Sequence, residues 1–232
     1  MIRSLLCVEG LSIEVHHKPI KNMHLRIYPP DGRVRISAPL SVSLPYIRAH
    51  LESKWGWIQQ QRVRLQHLPN KKEPALTTGD TLYFLGKAYR LEVLDNTTLS
   101  EIALSDSVLQ LHIKPHASIQ DKQRLIHAWH HAEMQRIVTP LIAHWEPLMN
   151  VRVVALRTRL MTSRWGSCNT RTKQITLNLS LVQKPITCLS YVLVHEMVHL
   201  LEASHNERFY RLMTTFMPTW RTHQATLSSI GI

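Results

Sequence analysis

"VHEMVHLLEASH" (residues 194–205) places three histidines and two glutamates within twelve positions. On a helix of about 3.6 residues per turn, His195 and His199 stand one turn apart on one face. Glu196 is offset by about 100° and flanks that face. Two imidazoles at i and i+4, with a glutamate beside the first, form the H-E-x-x-H arrangement. In it the imidazoles bind zinc and the glutamate activates a water molecule.

The neighbouring residues suit a buried helix. Leu189, Val192, Leu193, Leu200 and Leu201 surround the motif, and polar groups on a core helix must be satisfied, which a metal ion does directly. A catalytic zinc takes three protein ligands and leaves a fourth position for water. His205 lies six residues past His199, too far to share its face but within reach after a turn at "EASH". Glu202 competes for the same place and would need a bent approach from the same helix, so His205 ranks ahead of it. A structural zinc is normally closed by four protein ligands, and no fourth His or Cys lies nearby, which disfavours a nucleic-acid-binding module built around a structural ion.

Outward from the motif, strands and helices mix in an α+β order. "VRVVALRTRL" and "QITLNLSLV" read as strands flanking "MTSRWGSCNTRTK", and Pro185 opens the helix that carries His195. A further helix is expected from about 206 to 217, and Pro218 begins a short last one. Upstream, Leu125, Trp129, Met134, Ile137, Val138, Leu141, Ile142 and Trp145 mark a long amphipathic helix ending near Pro147.

The first hundred residues are mostly strands. "LSIEVHH", "HLRIYP" and "RVRISAP" alternate apolar and polar residues, with "PPDGR" (29–33) as a turn. Helical spacing follows over Ile47, Leu51, Trp55, Ile58 and Val63. "PNKKEPALTTGD" (69–80) is a loop, and "TLYFLGKAYRLEVL" a hairpin folded at Gly86-Lys87. No sequence repeat stands out. "KPHASIQDK" (114–122) is the best boundary, which divides the chain into a β-rich domain at 1–118 and a second domain at 119–232.

Composition bounds the function classes. The 232 residues are 44% hydrophobic with only 7 glycines, which excludes a disordered chain. No apolar run reaches the roughly 18 residues of a membrane span, so no membrane partner is expected. The start reads as a strand and not a signal peptide. Cys7, Cys168 and Cys188 are odd in number and widely separated, which points to a reducing compartment, the cytoplasm. The net charge is +12. No acidic residue falls between Glu146 and Glu196, whereas Arg152, Arg157, Arg159, Arg164, Arg171, Lys173 and Lys184 do. That stretch is either ordinary solvated surface or a positive field for a nucleic acid or nucleotide partner. Nothing in the sequence specifies an oligomeric state.

"SRWGSC" (163–168), "ITLNLSL" (175–181), "VHEMVHLLEASHNERFY" (194–210) and "MPTWR" (217–221) together resemble the YgjP-like metallopeptidase-domain proteins. These are relatives of the SprT-like zinc proteases that are also described as metal-dependent "UTP pyrophosphatases". The resemblance is strong over residues 119–228 and looser upstream. It implies a zincin-like α+β domain at 119–232 with one Zn²⁺ per chain, His195, His199 and His205 as ligands, and Glu196 as general base. Met197 and Val198 stand where relatives often have Leu-Ala, an apolar exchange that touches no functional residue. The resemblance also places Arg164, Trp165 and Gly166 on an edge strand beside the motif helix, where substrate backbone binds.

Arg164 is suited to a substrate carboxylate or phosphate, and Gly166 to a close backbone approach. A tight turn with Trp165 as core filler is the alternative. Asn178 either binds substrate backbone or satisfies the sheet. Cys168 reads as a small buried residue, and His127, His130 and His131 as a solvated or capping face. Phe209, Met213 and Trp220 read as packing behind the zinc loop. The expected function is a zinc metallopeptidase acting on a protein or peptide, with a metal-dependent nucleoside triphosphate pyrophosphatase as the alternative.

Overall fold

The computed structural model describes residues 2–28, 31–67, 75–95 and 98–230. Positions 29–30 of the expected turn and 69–74 of the expected loop lie outside them. The chain divides into two units, Met1–Glu73 and Pro74–Ile232.

In the first unit, strands β1 (Ile2–Val8), β2 (Leu11–Lys18), β3 (His24–Tyr28) and β4 (Arg33–Pro39) form a sheet of order β1-β2-β4-β3. The central β2–β4 pair is parallel and the outer pairs are antiparallel. Strand alternation turns Ile13, Val15, Val34 and Ile36 to one face, where they meet Ile47, Leu51 and Ile58 in a closed core. Those last three belong to two helices, α1 (Leu44–Ser53) and α2 (Trp55–His67), where the apolar spacing predicts one. The helix breaks at Lys54, whose backbone N–H bonds back to Leu51 O in a tightened last turn.

The second unit begins with β5 (Thr81–Phe84), β6 (Lys87–Leu94), β7 (Glu101–Leu104) and β8 (Val108–His112) in the order β5-β6-β8-β7, again with a parallel central pair. The two sheets therefore share one topology that no sequence repeat announces. The β5–β6 turn is Leu85–Gly86, both at positive φ, one residue earlier than expected. A Cβ on Gly86 would come within 3.0 Å of Pro185, and Leu85 N–H donates to Val182 O at 2.8 Å. The hairpin thus abuts the start of the motif helix.

Helix α3 (Ile119–Met149) opens with a capping box between Ser118 and Asp121 and runs through Pro147 to a left-handed Asn150. Its Ile126 packs with Leu91, Leu109 and Leu111 of the preceding sheet, and Trp129 stacks on Phe84 at 4.7 Å. Helix and sheet share a core, so the expected boundary at 118 falls inside the second unit and the division lies at Glu73/Pro74.

Strands β9 (Ala155–Arg159), β10 (Gly166–Asn169) and β11 (Gln174–Asn178) form a third sheet of order β10-β11-β9, with β9–β11 parallel and β10 on an edge. The predicted strand 174–182 ends at Asn178, because its side chain accepts Ser180 N–H and starts a 3₁₀ turn, Leu179–Gln183. Helices α4 (Ile186–Val198), α5 (Glu207–Phe216) and α6 (Trp220–Ile230) complete the chain. Mixed α and β elements agree with the expected α+β class. Among the described residues no helix is long and apolar enough to cross a membrane.

Candidate active site

Helix α4 is apolar on nearly every side. Leu189, Leu193, Val194, Met197 and Val198 are fully buried, so their packing fixes the helix and everything it carries. His195 and Glu196 sit in its last turn and His199 closes it. Tightened bonds from Leu200 N to Met197 O and from Leu201 N to Val198 O then turn the chain. It returns at His205, just before Asn206 caps α5 by accepting Phe209 N–H.

The turn brings three imidazoles together. His195 Nε2 and His205 Nε2 are 3.0 Å apart, and one ring nitrogen from each of His195, His199 and His205 falls within 4.8 Å of the others. Phe209 floors the cluster, its ring centroid 4.9, 4.7 and 4.7 Å from those of His195, His199 and His205. His199 Nδ1 lies 3.1 Å from Glu202 O. With its proton directed at that carbonyl, Nε2 is left as the lone-pair donor. Burial, then the neighbouring His199 and His205, push the His195 imidazole down to about 4, and burial likewise lowers His199. Both are held neutral, the form that can ligate a metal.

The Glu202 carboxylate is occupied elsewhere. It accepts Ser204 N–H at 3.3 Å and pairs with Arg208 at 3.5 Å.

Glu196 is buried, at 6% exposure. Burial raises its carboxyl to about 8 against the opposing pull of Arg164. It lies against Gly166 of β10, where a Cβ would stand 2.5 Å from its Oε1. The close approach foreseen at Gly166 is therefore made by the catalytic candidate itself. Arg164 is exposed at the rim. Trp165 is half-buried against the core, with Lys184 Nζ 5.7 Å from its ring centroid.

Two depressions meet at Arg164, Gly166, His195 and Glu196. One, of about 280 Å³, is walled by Trp165, Tyr191, Val192 and Leu227. The other, of about 390 Å³, runs past Ser167 and Cys168 to His199 and His205.

Asn178 is the clearest departure from the expected substrate contacts. It is fully buried, and its amide donates to Met161 O at 2.8 Å and Arg164 O at 3.1 Å while its oxygen accepts Met161 N–H and Ser180 N–H. No valence is left for a ligand, so it fixes the loop that presents Arg164. His130 is also corrected: it is buried, and burial pushes its imidazole down to about 4, whereas His127 and His131 are exposed. Cys168 is half-buried with its thiol raised to about 11 by burial and by Glu196, so it stays protonated. Phe209, Met213 and Trp220 are buried as expected.

Sequence reasoning missed Tyr191 and the α6 wall of Gln224, Leu227 and Ser228. Tyr191 was within reach, since it lies four residues before His195 on the same helical face. Nothing in the sequence ties α6 to the site.

No curated protein matches the chain. Two solved structures are similar over part of it. The metallopeptidase zymogen abylysin of Pyrococcus abyssi has 21% identity and a TM-score of 0.36, covering 40% of this chain and 90% of its own. The metallopeptidase zymogen jannalysin of Methanocaldococcus jannaschii has 19% identity and a TM-score of 0.32, covering 34% and 81%. A family model for the YgjP-like metallopeptidase domain aligns with residues 21–230, which run from before β3 to the end of α6 and include the edge strand β10 and the whole His-Glu-x-x-His segment, and the chain belongs to that family.

Proposed function

We propose that the chain is a zinc-dependent peptidase in which His195, His199 and His205 hold one ion and Glu196 is the general base. The observation that carries the reading is the convergence of three imidazole nitrogens within 4.8 Å beside a buried carboxylate. Three imidazoles are a donor set zinc favours, and three ligands leave one position open for chemistry. When bound, the ion supplies a Lewis acid that polarises a carbonyl and acidifies water.

The chain's own groups supply the rest. Glu196 takes a proton from the attacking water and returns it to the leaving amine; a carboxyl raised towards neutrality suits both transfers. Gly166 leaves the space that carboxylate needs. The free edge of β10 would pair with substrate backbone in an added strand. Arg164 would bind a substrate carboxylate from the rim, and the depression walled by Trp165, Tyr191, Val192 and Leu227 would take an apolar side chain. Glu202, already engaged by Ser204 and Arg208, ranks behind His205 as a ligand. The three free cysteines support a reducing, cytoplasmic setting.

A triphosphate is less well served. Among the described residues, Arg164 is the one Lys or Arg that borders either depression, and Arg157 and Arg159 lie on β9, at the sheet edge opposite β10. Metal analysis of the purified protein, followed by incubation with casein and separately with nucleoside triphosphates, tests the proposal. Zinc at about one per chain with chelator-sensitive cleavage of casein is expected. Stoichiometric zinc with triphosphate hydrolysis alone would overturn it.

A further inference from the structure

Outside the metal site, the other concentration of charge lies on the open face of the first sheet. Strand alternation that sends Ile13, Val15, Val34 and Ile36 inward sends Arg3 and Leu5 of β1, Glu14, His16 and Lys18 of β2, Arg26 and Tyr28 of β3, and Arg33 and Arg35 of β4 outward. Five cations thus share the face with one carboxylate. Pairing puts Leu5, Glu14, Arg35 and Arg26 in one row across the four strands, so guanidinium groups are distributed over the sheet and not gathered at one end.

The single carboxylate is already committed. Glu14 accepts from Arg35 Nε at 2.7 Å and lies 3.4 Å from Arg33 and 3.3 Å from His16. Arg33 and Arg35 also stand over the Tyr28 ring, at 5.5 and 4.9 Å. Arg3, Lys18 and Arg26 make no ion pair among the described residues. His16 is kept below the usual histidine range by burial, and then by Arg35 and Arg3, as a positive field requires. Arg3, Leu5, Glu14, His16, Arg33 and Arg35 border a shallow depression of about 570 Å³ here.

We propose that this face binds the phosphodiester backbone of nucleic acid. The complementary charge is present, and four of the five cations are arginine, whose planar fork matches phosphate oxygens in a bidentate manner. A second copy of the same face is repelled by like charge. One tyrosine, already covered by two guanidinium groups, gives no platform for stacking bases, so binding is through phosphates and carries little sequence preference. The inference is independent of the peptidase assignment.

The test is a polarisation titration of the full chain with labelled single-stranded RNA, single-stranded DNA and duplex DNA over about 50 to 200 mM salt. Five cations less the Glu14 carboxylate leave a net of four charges, and four phosphate contacts predict a slope of log K against log salt near −3 for single strands. Arg3→Gln with Arg26→Gln should flatten that slope by about 1.4 and weaken binding roughly 50-fold at about 50 mM salt. Arg3→Lys with Arg26→Lys, which keeps the charge, should retain most of the slope. Arg157→Gln with Arg159→Gln, on β9, should leave it unchanged. The proposal is overturned by no binding at low salt, by equal binding in the double Gln variant, or by loss in the β9 variant instead. Binding to vesicles of anionic lipid with none to nucleic acid would overturn it equally.

Discussion

Replacing Gly166 by Ala isolates the contact on which Glu196 depends. The added Cβ would stand 2.5 Å from Glu196 Oε1, 2.8 Å from Cγ and 2.9 Å from Cδ. Ordinary carbon contacts begin at about 3.5 Å, so something must retreat by about 1 Å. Helix α4 cannot easily do so, since Leu193, Val194, Met197 and Val198 are all fully buried around it. The glutamate side chain, with its own torsions, moves first. A misplacement of about 1 Å at a reacting group costs on the order of 10²-fold. The three atoms nearest the added Cβ all belong to Glu196 and none to an imidazole, so zinc content should hold. The assay is kcat/KM on a fluorogenic peptide beside zinc content by elemental analysis. Glu196→Gln alone should cost 10² to 10⁴-fold, about the contribution of a general base, with zinc retained. In that background Gly166→Ala should add almost nothing, because it acts through a carboxylate already gone. Wild-type activity in Gly166→Ala with full zinc, or additive losses in the double variant, would refute the reasoning.

His205→Ala should weaken zinc more than Glu202→Ala, as measured by competition with a chelator; the reverse order would make Glu202 the third ligand. His130 has an imidazole lowered from 6.5 to about 4 by burial, so its contribution to stability is present above about pH 6.5 and is lost as pH falls towards 4. Because His195 titrates over the same window, the test is a difference: in denaturant titrations His130→Gln should lose about 3 kcal/mol less than the wild type, and equal pH slopes would refute it. Asn178→Leu removes the hydrogen bonds that the buried amide makes to Met161, Arg164 and Ser180, so thermal unfolding should show a destabilisation of about 3 kcal/mol. Zinc content should hold while peptide cleavage falls, because the loop bearing Arg164 is released; unchanged stability would contradict the hydrogen bonding.

What the sequence made legible was local. The i, i+4 spacing of His195 and His199, the helix start at Pro185 and the Asn206 cap are all decided by neighbours within a few residues, and all stand in the structure. The return of His205 was legible as reach, because six residues allow a turn. The shared β1-β2-β4-β3 and β5-β6-β8-β7 orders were not, since parallel central pairs join strands separated by another strand, and alternation alone does not name a partner. The boundary was misread for a related reason. The change from strand to helix near 118 is a change of pattern, whereas Ile126 and Trp129 bind α3 to the sheet before it. Asn178 stayed undecided between substrate and sheet because nothing in "ITLNLSL" shows that the chain 17 residues earlier folds back onto its amide. His130 was read with His127 and His131 as a solvated or capping face because their spacing alone does not show which of the three turns to the core.

The arrangement of the site follows from which groups the core can reach. His195, Glu196 and His199 ride on a helix that is buried almost all round, so apolar packing fixes the backbone that carries them. His205 comes from a loop and is exposed, yet the same core governs it, because Phe209, four residues on, is buried at 1% and touches all three imidazoles. The second wall comes from a sheet edge, where Gly166 can approach only because it lacks a side chain. A helix, a capped loop and an edge strand therefore meet at one point with the hydrophobic floor already in place. On the proposed reading, the packed core would hold the three imidazoles in place for an ion that keeps one coordination position open. The carboxylate held in that dry corner is the group least able to remain charged there, and hence the one best prepared to accept a proton.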